Sequence, residues 1–203
     1  MHKIQPITGK ELDLLKYFYK CRKGYVRQVK KAVKLSEHTL LKYFSSLEKR
    51  KMLISRKEGN LKIYEVSLES ALVKVFFSYF DLERLEALEY KRGKAVKMFV
   101  EEIKKSRIPY FVLLFGSTTK GNYTAKSDID ILVCYESVGR TEKIEIIRKN
   151  ILAEIGLKVN SIIIGLDEFL KERGNKQNYA LQDAITSGYP VFGNQLYYEV
   201  VFI

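Results

Sequence analysis

Apolar positions recur at helical spacing from the start of the chain. Between Lys10 and Lys20, Leu12, Leu15, Tyr17, Phe18 and Tyr19 gather on one side of a helix, and Cys21 to Gly24 interrupts it with turn character. Tyr25 to Leu35 places Val26, Val29, Ala32 and Val33 on a second short amphipathic helix. Ser36 then offers an N-cap to a third, whose buried stripe is Leu40, Phe44 and Leu47 and which ends near the basic run Glu48 to Lys51. The period next shortens. Met52 to Arg56 and Leu61 to Val66 read as two strands joined by a Glu58-Gly59-Asn60 turn.

Residues 68–107 return to helical spacing. Leu68, Leu72, Val75, Phe76 and Tyr79 mark one face, Leu82, Leu85 and Leu88 continue it, and Ala95, Val96, Phe99, Val100 and Ile103 follow Gly93. Such an apolar surplus implies packing within the chain or pairing with a second copy in a homodimer. After Pro109 the order is β-α-β: strand Tyr110 to Phe115, strand Asp128 to Cys134, helix Glu142 to Ile155, strand Leu157 to Ile164 and a closing helix Glu168 to Ser187. The expected fold is α+β in three parts: residues 1–67, a helical connector 68–108, and residues 109–203.

The longest apolar run, Tyr110 to Phe115, is far short of the ~20 residues that span a bilayer. Met1 to Gly9 has no signal-peptide core, so the expectation is a cytoplasmic protein without membrane partners. Two cysteines, Cys21 and Cys134, make neither a disulfide framework nor a zinc pattern, and two histidines, His2 and His38, are too few for a histidine-based site. Charge changes the picture more. The formal net charge is +12, and residues 1–70 alone hold 17 Lys and Arg against 7 Asp and Glu. Residues 109–203 hold 10 against 11. A basic module joined to a near-neutral one points the first at a polyanion.

Three short helices and a hairpin over residues 8–67 resemble a winged helix-turn-helix domain, most specifically in the run LSEHTLLKYFSSLEKRKMLISRKEGNLKIYEVS. With Leu40, Phe44 and Leu47 inward, Glu37, His38, Leu41, Lys42 and Ser45 are left for a major groove, and Tyr43 for partial packing. Arg56, Lys57 and Lys62 on the wing could reach phosphates of double-stranded DNA.

The candidate chemistry lies in FGSTTKGNYTAKSDIDILV. Gly116 and Ser117 end a buried strand, and Asp128 and Asp130 sit two apart in the next, so period-two geometry turns both carboxylates to one face and Ile129 and Ile131 to the other. Two acids together call for a hard cation such as Mg²⁺, which prefers one or two carboxylates plus phosphate oxygens. Gly116 admits a phosphate to the backbone, Ser117 offers a hydroxyl and an N–H, and Lys120 and Lys126 share the loop. Gly-Ser, ten residues, Asp-x-Asp resembles the signature of polymerase-β-type nucleotidyltransferases, and residues 109–195 resemble their minimal prokaryotic form, down to the Gly188 to Gly193 stretch after the last helix.

The resemblance implies attack of a hydroxyl on the α-phosphate of a nucleoside triphosphate, here taken as ATP, with Mg²⁺ or Mn²⁺ held by Asp128 and Asp130 and pyrophosphate released. It also implies a third carboxylate on the neighbouring strand. The matching run is LKVNSIII, with Asn160 where the acid is expected. Asparagine keeps an oxygen for a metal but is no general base. A one-residue slip gives Ser161, and the next acids, Asp167 and Glu168, read as a helix start, with Asp167 the alternative third ligand. Three functions stay open: a nucleotidyltransferase tethered to a DNA-binding domain, a transcription regulator with an impaired transferase domain, and an antitoxin-like partner of a helical toxin.

Overall fold

The computed structural model describes residues 6–139 and 141–201, which leaves His2 outside. The chain divides into two compact units, Met1–Phe80 and Asp81–Ile203.

In the first unit, α1 (Gly9–Cys21) opens with a reciprocal cap: Thr8 Oγ1 accepts from the Glu11 amide at 3.2 Å and the Glu11 carboxylate accepts from the Thr8 amide at 2.9 Å. After β1 (Lys23–Tyr25) come α2 (Val26–Val33) and α3 (Glu37–Lys49), the latter capped by Ser36 Oγ, which accepts from the Thr39 amide at 3.2 Å. Leu40, Phe44 and Leu47 are fully buried, and the Phe44 ring lies 4.1 Å from that of Tyr64. Strands β2 (Leu53–Glu58) and β3 (Leu61–Val66) form the expected hairpin, and the sheet order is β1-β3-β2. Strand β1 lies where the sequence reads as a turn. Three residues carry no alternation to read, and this strand exists because Lys23, Gly24 and Tyr25 pair with Glu65, Tyr64 and Ile63. The division between units falls within α4 (Ala71–Glu86).

The second unit runs through α5 (Tyr90–Ser106), β4 (Phe111–Phe115), α6 (Ser117–Lys120), β5 (Ile129–Tyr135), α7 (Glu142–Ile155), β6 (Val159–Gly165), α8 (Leu166–Glu172), α9 (Tyr179–Thr186), β7 (Tyr189–Phe192) and α10 (Asn194–Val201). Its sheet has the order β6-β5-β4-β7, with β5 and β6 parallel and the other pairs antiparallel. Val112, Leu114, Ile129, Ile131 and Val133 face Ala95, Val96, Phe99, Ile144 and Ile151 of α5 and α7, so the apolar face of α5 is used inside this unit. On the other sheet face, the Phe111 ring meets Phe169 of α8 at 5.1 Å and Tyr197 of α10 at 5.4 Å.

The single closing helix expected over 168–187 is instead two, α8 and α9, separated at Arg173 to Asn178, where Asn178 Oδ1 accepts from the Leu181 amide at 3.3 Å to start the second. The Gly188 to Gly193 stretch brackets β7, which the sequence did not announce, and α10 follows it. Gly193 has φ 68° and lies against the Tyr110 carbonyl, leaving no room for a side chain. No helix among the described residues is long and apolar enough to cross a membrane.

Candidate active site

Strand register builds the site. Asp130 pairs with Phe115 on β4 and with Asn160 on β6, while Ile129 pairs with Val159. Asp128 lies one residue before β5 and Lys158 one before β6, and the Ile129 amide donates to the Lys158 carbonyl at 2.9 Å, which extends the pairing to that rung. Side chains in register on parallel neighbours share a face, so Asp128, Asp130, Lys158 and Asn160 meet. Asn160 Nδ2 donates to Asp128 Oδ2 at 3.0 Å and to Asp130 Oδ1 at 3.3 Å, and Lys158 Nζ donates to Asp128 Oδ2 at 2.7 Å. Ser161 pairs with Ile131 and is thereby turned to the opposite face. Asp167 is exposed in the first turn of α8, beyond Gly165, which lies five residues along β6 from Asn160, or about 16 Å at ~3.3 Å per residue. Asp167 does not reach the acid pair.

Gly116 closes the floor of the site. It has φ 73°, and a Cβ there would overlap the Asp130 carboxylate. The close approach that demands glycine is thus made by Asp130. Ser117 follows, half-buried at the start of α6.

The loop from Gly121 to Ser127 owes its shape to Arg92, a residue the sequence reading passed over. Arg92 is 2% exposed and projects from α5 under the loop. Its guanidinium donates to Thr118 Oγ1 at 2.9 Å and to the carbonyls of Thr124 at 2.9 Å and Ser127 at 2.8 Å, with the Tyr123 ring 4.1 Å away. One signal was available: Arg92 continues the Val96 and Phe99 stripe back by a turn, a buried position for a charged residue. Of the loop lysines, Lys126 is exposed, whereas Lys120 Nζ is 2.7 Å from Asp183 Oδ1 on α9. Burial pushes the Asp183 carboxyl up, but hydrogen bonds from Lys120 and Ser187 outweigh it and hold the group below its ordinary 3.8.

The Lys158 hydrogen bond, opposed by burial and aided by Asn160, likewise holds Asp128 below 3.8. Among the described residues no group of three or more His, Cys, Asp or Glu side chains clusters, in keeping with an Asp-Asp-Asn arrangement. Two convergent carboxylates fit one hard divalent cation, to which Asn160 could turn its amide oxygen. They do not fit two, because the third carboxylate is missing and Lys158 brings a positive charge to the same corner.

The basic residues of the first unit are less convergent. His38 and Lys42 are exposed on α3. In the hairpin, Lys57 pairs with Lys62 and Arg56 with Ile63, so Arg56 projects from the opposite face to the two lysines. Arg56 is engaged by Glu58 at 2.9 Å and Glu65 at 3.3 Å, and Lys62 by Glu48 at 3.3 Å. Arg27, Lys30, Lys31 and Lys34, exposed on and just after α2, extend the basic surface beyond the residues singled out from sequence.

Comparison with known proteins bears on the second unit. Residues 96–184 match the nucleotidyltransferase domain family. A relative from Methanocaldococcus jannaschii, named "Putative protein adenylyltransferase", is 37% identical over 82 residues, 39% of this chain and 79% of that protein. Identity at that level over most of the relative, with a Gly-Ser turn and an Asp-x-Asp pair brought together by the sheet, means that this chain belongs to the nucleotidyltransferase domain family.

Proposed function

We propose that this protein transfers the nucleotidyl group of ATP to a hydroxyl, of a protein in the first instance, and that its first unit is a winged helix-turn-helix bound to double-stranded DNA. The observation that carries the transferase reading is the convergence of Asp128 and Asp130 on the Asn160 amide, with Gly116 directly behind Asp130. The name of the archaeal relative supports a protein acceptor.

Bound at the acid pair, a single Mg²⁺ or Mn²⁺ would neutralise phosphate charge as it develops. The chain's residues do the remainder. Gly116 and Ser117 present backbone and hydroxyl to the triphosphate, and Lys126 lies exposed in the loop to meet its outer phosphates. The acceptor oxygen bonds to the α-phosphorus as the bond to the bridging oxygen breaks, and pyrophosphate leaves. The acceptor proton passes to solvent, since Asn160 cannot take it and both Asp128 and Asp130 would be engaged by the cation. Transfer is accordingly slow.

Incubation of the full chain with Mg²⁺ and ATP labelled at the α-phosphate tests this. Label should appear on the protein or on added protein acceptors, and Asp130→Asn should abolish it. Label absent with every acceptor, while the duplex is still bound, would leave the second reading, a DNA-binding regulator with an impaired transferase domain, which the Asn160 substitution favours. For the DNA arm, the charge of residues 1–70 and the exposed face of α3 predict duplex binding that weakens steeply with salt. Salt-insensitive or absent binding removes that arm.

A further inference from the structure

The two acids stand on two rungs of a ladder: Asp130 faces Asn160 and Asp128 faces Lys158. A three-carboxylate site would bring three negative charges to this corner, and the present one brings two negatives and one positive. The ammonium sits 2.7 Å from Asp128 Oδ2, the oxygen that Asn160 also contacts and that a divalent ion shared between the acids would need. The Lys158 side chain is 55% exposed and issues from an edge strand, so it can swing away without disturbing the core.

We propose that Lys158 is a resident cation that competes with the divalent metal for Asp128, so that the metal enters this site only together with a triphosphate. The ammonium satisfies Asp128 when the site is empty, and an incoming ion must displace it. A bare ion gains too little from two partly neutralised carboxylates. An ion already carried by phosphate oxygens brings its own ligands and leaves Lys158 free to turn toward the phosphates. This deepens the transferase reading and rests on it, because it takes Asp128 and Asp130 as the metal-holding pair.

Binding of Mn²⁺ to the full chain, followed by the electron paramagnetic resonance of the free ion, tests the inference apart from activity. Without nucleotide, Lys158→Gln should bind Mn²⁺ roughly tenfold more tightly than wild type, and Lys158→Arg, which keeps the charge, should stay near wild type. Unchanged or weaker binding in Lys158→Gln overturns the proposal, as does tightening by the same amount in Lys158→Arg. Asp130→Asn supplies the second arm. If it abolishes nucleotide-assisted Mn²⁺ binding while Lys158→Gln changes nothing, the Lys158 proposal alone fails. If it leaves that binding intact, the acid pair is not the metal site, and the reading beneath the proposal fails with it. Thermal melts of each variant without metal confirm that it is folded before its binding is compared.

Discussion

The β2-β3 hairpin and the β4-β5-β6 site both gather charged side chains on paired strands, and they do so to different effect. At the site, each acid is fixed by register against a specific neighbour, with Gly116 on one side and Lys158 and Asn160 on the other. On the hairpin, Lys57 and Lys62 share one face, Arg56 takes the other, and two of the three are already tied to Glu48, Glu58 and Glu65. Short-range chemistry needs atoms held to fractions of an ångström by a rigid sheet. Attraction to a polyanion needs only charge density on a surface, which flexible lysines supply. Single changes should therefore be severe in the first region and graded in the second.

The sharpest break should come from Gly116→Ala. A left-handed φ and overlap with the Asp130 carboxylate together should cost about 2–4 kcal/mol and lower the melting temperature by several degrees. A melt at wild-type temperature would show that the turn relaxes freely, contrary to the rigid-site picture.

Next is Arg92→Met, which leaves Thr118 and the carbonyls of Thr124 and Ser127 without their donor in a buried place. A loss of about 2–3 kcal/mol is expected from denaturant unfolding, with Arg92→Lys recovering part of it. ATP affinity, measured by calorimetry on whichever of the two folds, should fall too, because the loop that carries Lys120 and Lys126 loses its support.

Asn160→Asp sharpens the comparison from inside the site. Restoring a carboxylate should raise metal affinity and any transfer rate by at least about tenfold, while lowering stability without metal by about 1 kcal/mol through repulsion that Lys158 only partly offsets. Melts with and without Mg²⁺ read both effects, and identical curves for variant and wild type would mean that position 160 does not face the metal.

On the hairpin the expected effects are smaller and unequal. Lys57→Ala should weaken duplex binding about threefold to tenfold and reduce the salt slope by about one, more than Arg56→Ala, whose side chain is already paired. Equal losses would mean that the carboxylate partners release Arg56 on binding.

The smallest effect belongs to the Lys120 and Asp183 pair. Because the Asp183 carboxyl is depressed in the folded protein, its stabilisation is complete above the ordinary 3.8 and is lost as pH falls through the lowered value. For so exposed a pair the loss is at most about 1 kcal/mol, and Lys120→Met should flatten it in melts followed as the pH falls below the ordinary 3.8.

Local pattern made most of the architecture legible. The stripe Leu40, Phe44 and Leu47, the Ser36 cap, the Glu58-Gly59-Asn60 turn and the helix Glu142–Ile155 are each specified by residues within a few positions of one another, and each is found where the pattern puts it. The same holds for the acid pair, since alternation alone turns Asp128 and Asp130 to one face and Ile129 and Ile131 to the other. Strand β1 and strand β7 escaped because a short strand is defined by a distant partner, Glu65 to Ile63 in one case and Val112 to Leu114 in the other. The break between α8 and α9 was written locally, in the poor helix formers Gly174 and Asn175 that follow α8 and in Asn178, which caps the start of α9 at Leu181, but the apolar spacing runs on across it and hides the stop.

What the amino-acid sequence determined by itself is the inventory and its local placement: a basic first part, a Gly-Ser turn, two acids on one face, and an asparagine where a third acid is expected. Tertiary structure alone decided which groups meet. Lys158 is thirty residues from Asp128 in the chain, Arg92 more than thirty from Ser127, and Asp183 more than sixty from Lys120. Pairing across such separations is set by sheet register and helix docking, which are global properties of the packed core, and a local pattern of residues carries no record of them.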